Sequence, residues 1–323
     1  MSYSRENLRK SEEILAERRR TAEKTQEDRK AVICAKIPDI KTAYDEMSKL
    51  GISILGALDR NVDAQKYMSE IAAQSKKLRE IIAKKLKENG YPEDYLDAPY
   101  TCKKCNDTGY IEGYSCTCRK EILNQLNVAD LESVSPAANC TFDNFSLDYY
   151  PETVDPSLNI SAREQAALIL DYCKCYADDF DCNSVSLYMR GATGLGKTHL
   201  SLAIANEITR KGFSVFYGSA QQIFGDIERE NFGGNSDRTL KKALNCDLLI
   251  IDDLGSEFST NFKVSVLYDI INTRINRSKP VIISTNLTEK EIEEKYTQRI
   301  TSRIIGEYVS ILFVGEDIRQ KKK

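Results

Sequence analysis

Gly191-Ala192-Thr193-Gly194-Leu195-Gly196-Lys197-Thr198 constrains this chain more than any other stretch. It follows an apolar run, Val185 to Met189, and opens a helical pattern, Thr198 to Thr209, with apolar residues at Leu200, Leu202, Ala203, Ile204 and Ile208. A strand, a glycine loop and a helix in that order make a phosphate-binding P-loop. The glycines let successive N–H groups face one anion, and the helix N-terminus behind them adds partial positive charge. Gly191, Thr193, Gly194, Leu195, Gly196, Lys197, Thr198 and His199 are therefore expected around the phosphates of ATP. Lys197 would reach the β- and γ-phosphates, and the Thr198 hydroxyl would ligate Mg²⁺. His199, the single histidine, is most simply a first-turn helix residue.

Four further strands are readable: Ser214 to Tyr217, Leu248 to Asp253, Pro280 to Ser284 and Val309 to Val314. With the run at 185 they predict an α/β fold on a five-stranded parallel sheet. The wholly apolar run Leu248-Leu249-Ile250-Ile251 delivers Asp252 and Asp253 at its C-terminal end, where ligands of open α/β sheets bind. Asp252 is expected to hold Mg²⁺ through water. Asp253 stands where many such ATPases place a glutamate that polarises the attacking water. Asn286, beyond the next strand, can bind the γ-phosphate or orient that water; its alternative is an ordinary strand-end turn. Arg299 and Arg303 lie four apart on one helix face, and either would complete a neighbouring copy's site as an arginine finger. The chain ends soon after Gly315-Glu316-Asp317-Ile318-Arg319, so no C-terminal helical lid is expected.

Length and charge bound the rest. At 323 residues the chain can hold two domains, and a net charge of −3 makes any nucleic-acid contact local. No long apolar run and no apolar leader core appear, which predicts a cytoplasmic protein outside the membrane. Residues 4–33 carry nine Lys or Arg against seven Asp or Glu and little that is apolar, as in a salt-bridged helix or half a helical hairpin. A second helix is predicted from Pro38 until Gly51 breaks it, and a third from about Val62 to Leu86. The basic face of the third could meet nucleic acid or an acidic groove, and a merely solvated face is the simpler alternative.

Cys102-x-x-Cys105, ten residues, then Cys116-x-Cys118 supply four thiolates able to meet on one Zn²⁺. Tyr110 and Tyr114 suggest a short hairpin carrying them. A redox C-x-x-C is the rival, but the βαβ unit it usually occupies is absent here. Cys173 and Cys175 lie in a helical run without a second pair, where packing is the natural role. The predicted organisation is a helical partner-binding domain at 1–95, a zinc knuckle at 96–122, a linker at 123–140 turning at Ser133, Ser135 and Pro136, and the ATPase domain at 141–323. The aromatic stretch Thr141-Phe142-Asp143-Asn144-Phe145 either packs beside the adenine or covers the sheet edge.

Together GATGLGKTHL (191–200), LLIIDDLG (248–255), IISTNL (282–287), QRITSRI (298–304) and GEDIR (315–319) resemble the DnaC/DnaI/IstB-type AAA+ ATPases. The helical N-terminus with its cysteine knuckle resembles the bacterial or phage helicase-loader branch. The resemblance implies an N-terminal region that grips a hexameric replicative helicase, and an AAA+ domain that binds ATP and single-stranded DNA and self-associates. Arg303 is similar in position to the family's arginine finger and Arg319 to its sensor-2 arginine. Tyr217 and Ser219, and Arg238, Lys241 and Lys242, are candidates for stacking on DNA and for phosphate contact, with a surface loop and a solvated helix as alternatives. A transposase-helper ATPase, or an ATP-gated adaptor that scarcely hydrolyses, are the rival functions.

Overall fold

The computed structural model describes residues 3, 5–57, 64–134, 140–155, 159–233 and 237–321. The chain divides into a smaller unit, 12–119, and a larger one, 1–11 with 120–323. Among the described residues no helix is long and apolar enough to cross a membrane.

Helices α1 (Arg5–Lys36), α2 (Pro38–Ala57) and α3 (Ala64–Glu88) dominate the first third of the chain. The polar first half of α1 gives way to Ile33, which with Ile37, Ile40, Ala43, Ile82, Leu86 and Leu96 makes a small core. Pro38 opens α2, where its missing N–H is no loss. Gly51 does not end α2 as expected. One glycine costs a helix about 1 kcal/mol, too little to stop one whose flanks are both helix-competent. The expected start of α3 at Val62 lies outside the described residues. Strands β1 (Tyr110–Ile111) and β2 (Tyr114–Ser115) form the anticipated knuckle hairpin. Helix α4 (Thr117–Val134) runs through most of the expected linker, so no turn forms at Ser133; Ser135 and Pro136 lie outside the described residues.

In the larger unit, β3 (Val154–Asp155) and β4 (Ile160–Ser161) pair ahead of α5 (Ala162–Asp178). The α/β layer follows as β5 (Ser186–Arg190), α6 (Lys197–Arg210), β6 (Val215–Ser219), α7 (Ala220–Phe232), α8 (Arg238–Asn245) and β7 (Leu248–Leu254). It continues with α9 (Asn261–Asn276), β8 (Val281–Thr285), α10 (Glu289–Tyr296), α11 (Gln298–Glu307) and β9 (Tyr308–Leu312). The five long strands are all parallel, in the order β6-β7-β8-β5-β9. Alternate residues of each strand enter two cores. Leu187, Met189, Leu248, Ile250 and Ile282 meet α5 and α6 on one face, and Leu249, Ile251, Val281 and Ile283 meet α7, α9 and α11 on the other. With both faces covered, the carboxyl ends of β5, β7 and β8 are the natural exit for functional side chains.

Candidate nucleotide and metal sites

The P-loop leaves β5 and enters α6 through Gly196, left-handed at φ 87°. A Cβ there would lie 2.7 Å from Phe145 and 2.8 Å from the Tyr150 hydroxyl, so glycine is required by packing as well as by φ. Tyr150 donates to the Leu195 carbonyl at 2.9 Å, fixing the loop from behind. The aromatic stretch at 141–145 thus packs on the start of α6. His199 joins it, with Nε2 2.9 Å from the Thr141 carbonyl and its ring edge-on to Phe145.

Lys197 is buried, and its Nζ donates to the carbonyls of Gly191 (2.6 Å) and Ala192 (2.7 Å) and to Asn286 Oδ1 (2.7 Å). Burial pulls its ammonium down to about 8, against the attraction of Asp253 and Asp252. Thr198 Oγ1 donates to both oxygens of Asp252, at 2.9 and 3.1 Å. Asp252 also accepts from the Tyr217 hydroxyl at 2.9 Å and from Ser284 Oγ in a short hydrogen bond.

A register slip in the β7–β8 ladder between Ile251 and Leu254 re-aims the second acid. Asp253 takes φ 52°, and its N–H donates to Ser284 Oγ at 2.9 Å. Its carboxyl is pushed up by burial first and by the charge of Asp252 second, while Lys197, Arg319 and a hydrogen bond with Asn286 pull it down. Thr285 Oγ1 anchors the end of β8 by donating to the Leu254 carbonyl at 2.6 Å. Lys197, Thr198, Asp252, Asp253 and Asn286, read from three separate strand ends, therefore meet in one cluster.

The arginines fare differently. Arg303 lies against α9: Nε donates to Asn272 Oδ1 (3.1 Å), Nη2 to the Tyr268 hydroxyl (3.0 Å), and the guanidinium stacks 4.8 Å from the Tyr268 ring. Arg299 is exposed and lines a groove of about 520 Å³ with Tyr268, Asn261 and Thr297. Arg319 follows the last strand and pairs with Asp317 at 3.5 Å, and its charge acts on both Lys197 and Asp253. Asp317 stands within the 315–319 run but is given no role from the sequence. Its carboxylate sits so close to Gly194 that a Cβ there would meet Oδ1 at 1.8 Å, and the Ile318 N–H donates to the Gly194 carbonyl. No periodicity or motif announces such a contact, since it joins residues more than a hundred positions apart.

The DNA-contact candidates are corrected in part. Tyr217 is buried and directed at Asp252, so it offers no face for stacking, and Ser219 caps α7 by accepting from the Gln222 N–H. Arg238 pairs with Glu6 in a short contact, and Lys242 lies 4.9 Å over the Phe216 ring. Lys241 is exposed.

In the smaller unit the sulfurs of Cys102, Cys105, Cys116 and Cys118 lie within 4.8 Å of one another. The Cys102–Cys116 and Cys105–Cys118 separations, 3.8 and 3.5 Å, match the edge of a tetrahedron with metal–sulfur bonds of about 2.3 Å. Asp107, buried, accepts from the N–H groups of Thr101 and Cys102 and shapes the first ligand turn. The N–H of Cys118 pulls the Cys116 thiol down, favouring the thiolate that metals bind. Cys173 and Cys175 do not join them: Cys173 is buried in the α5 core and Cys175 is exposed.

A parallel sheet whose central strand ends bring a P-loop lysine to an acid and an amide has the arrangement of a P-loop nucleotide-binding domain. Residues 176–323 match the family described as IstB-like ATP binding protein. The chain is similar to the replicative helicase loader DnaC of Escherichia coli (strain K12), at 25% identity over 186 residues, 57% of this chain and 70% of that protein. It is also similar to the phage-like element PBSX protein XkdC of Bacillus subtilis (strain 168), at 26% over 206 residues, covering 58% of this chain and 73% of that one. Among solved structures, the DnaC helicase loader aligns with a TM-score of 0.48 and 22% identity, over 56% of this chain and all of that one.

Proposed function

We propose that this protein hydrolyses ATP to load a replicative DNA helicase onto single-stranded DNA. The observation that carries the ATPase reading is the joining of Lys197, Asp252 and Asn286 through Thr198 and Asp253. The P-loop amides receive the phosphates, and Lys197 exchanges its loop carbonyls for phosphate oxygens. Thr198 and Asp252 present a hydroxyl and a carboxylate that would hold Mg²⁺, which would supply charge neutralisation to the phosphates. Asp253, its carboxyl raised, takes the proton of the attacking water, and Asn286 orients that water or the γ-phosphate. Arg303, released from Tyr268, acts on the site of a neighbouring copy, and Arg319 steadies the phosphates of its own. Cys102, Cys105, Cys116 and Cys118 hold a structural Zn²⁺ that ties the knuckle within a helicase-gripping region.

The cargo assignment follows the relatives named as helicase loaders. The IstB-like match favours a second reading, a transposase-helper ATPase. The two separate on the partner. The full chain, tagged and purified from its host with ATP present, is expected to bring down the hexameric replicative helicase. Recovery of a transposase without helicase would refute the loader reading while leaving the ATPase intact.

A further inference from the structure

Asp252 is held by three hydroxyls. Thr198 donates to both of its oxygens, Ser284 to Oδ1 and Tyr217 to Oδ2. Thr198 belongs to the P-loop motif itself. Tyr217 does not: it comes from β6, whose register pairs Tyr217 with Ile250 and Ser219 with Asp252, so the ring lies two residues behind the acid and reaches forward to it. The phenol is buried, so this bond stands in for solvent at its hydroxyl.

We infer that Tyr217 is a positioning residue for the magnesium-holding carboxylate, fixing the rotation of Asp252 through Oδ2. The inference rests on the ATPase reading above. The terminal torsion of an aspartate is broad, so the side chain alone does not set where its oxygens point. A carboxylate that meets a cation through water must place its oxygens accurately, and hydrogen bonds from outside the coordination shell supply that placement, with effects of about 10- to 100-fold on metal affinity. Ser284 already has a second duty, accepting from the Asp253 N–H, so it ties the two acids to β8. Tyr217 ties Asp252 to β6. The carboxylate is thereby braced from the strand on each side of its own.

The alternative is a core tyrosine that uses Asp252 only to satisfy its hydroxyl. Tyr217→Phe in the full chain decides, because it keeps the ring and removes only the donor. The readout is binding of a fluorescent ATP analogue, titrated first in EDTA and then against increasing Mg²⁺. Metal-free affinity is expected to stay within about twofold of the parent, while half-saturation by Mg²⁺ rises at least about tenfold. Ser284→Ala, which removes one of the two Oδ1 donors, is the second variant and should shift Mg²⁺ half-saturation in the same direction. A Tyr217→Phe protein that melts lower but keeps the parental Mg²⁺ dependence overturns the inference. A parent protein that binds the analogue with no Mg²⁺ dependence at all overturns the ATPase reading, a result seen without either variant.

Discussion

Asp253→Asn should lower ATP turnover by about a hundredfold or more while leaving MgATP affinity within a factor of about three. The substitution keeps size and hydrogen-bonding shape but removes the basic oxygen. Asp253 is suited to the role by its surroundings rather than by its length. The backbone slip gives it φ 52°, a conformation Asn also tolerates, and Ser284 Oγ accepts its N–H. Burial and the neighbouring Asp252 raise its carboxyl, and Asn286 bonds it. Asp252 by contrast accepts from three hydroxyls, which fix where its oxygens point. The measurement is steady-state phosphate release with ATP affinity determined in parallel. Unchanged turnover would select the ATP-gated adaptor.

Arg274→Met should destabilise the larger unit by about 3–5 kcal/mol, the range found when one partner of a buried charged network is removed. Arg274 on α9 is fully buried. Its guanidinium donates to the carbonyls of Ala243, Cys246, Asp247 and Pro280 at 2.7, 3.0, 3.3 and 2.6 Å, stitching the end of α8 to the entries of β7 and β8. Methionine fills much of the volume but leaves buried carbonyls without donors. Arg274→Lys should recover little, because a point charge with three donors cannot span acceptors set out for a planar fork. Urea unfolding monitored by tyrosine fluorescence reads the loss. A change below about 1 kcal/mol would mean that water replaces the guanidinium.

The nucleotide half of the chain was legible because its chemistry is local. Strands covered on both faces, such as Leu248–Leu254, read as unbroken apolar runs, and the P-loop carries its own spacing. The cysteine hairpin was legible for the same reason: ligand spacing and turn residues sit within one short segment. Long-range polar contacts were not. Tyr217 looked like a surface aromatic because alternation along Val215–Ser219 says which residues share a face but not which face meets the acid of the next strand. Arg303 was read only as sharing a helix face with Arg299 and reaching a neighbouring copy, yet Tyr268 and Asn272, more than thirty residues earlier, hold it. Arg274 gave no signal, since an arginine in a helical run is ordinarily solvated. Gly51 was over-read as a stop because glycine's cost is real but small.

The gathering of lysine, acid and amide about one nucleotide is tested most directly by titrating MgATP into the parent and into Lys197→Ala from pH 7 to pH 10. Free Lys197 is pulled down to about 8, whereas triphosphate oxygens favour its charged form, so binding above pH 8 must take up a proton. One nucleotide per chain is expected, with affinity level below about pH 8 and then falling by up to about tenfold per pH unit. Lys197→Ala should show no measurable binding at any pH. Equal binding by both proteins, or a parental affinity that is flat across the range, would contradict a shared phosphate site at Lys197.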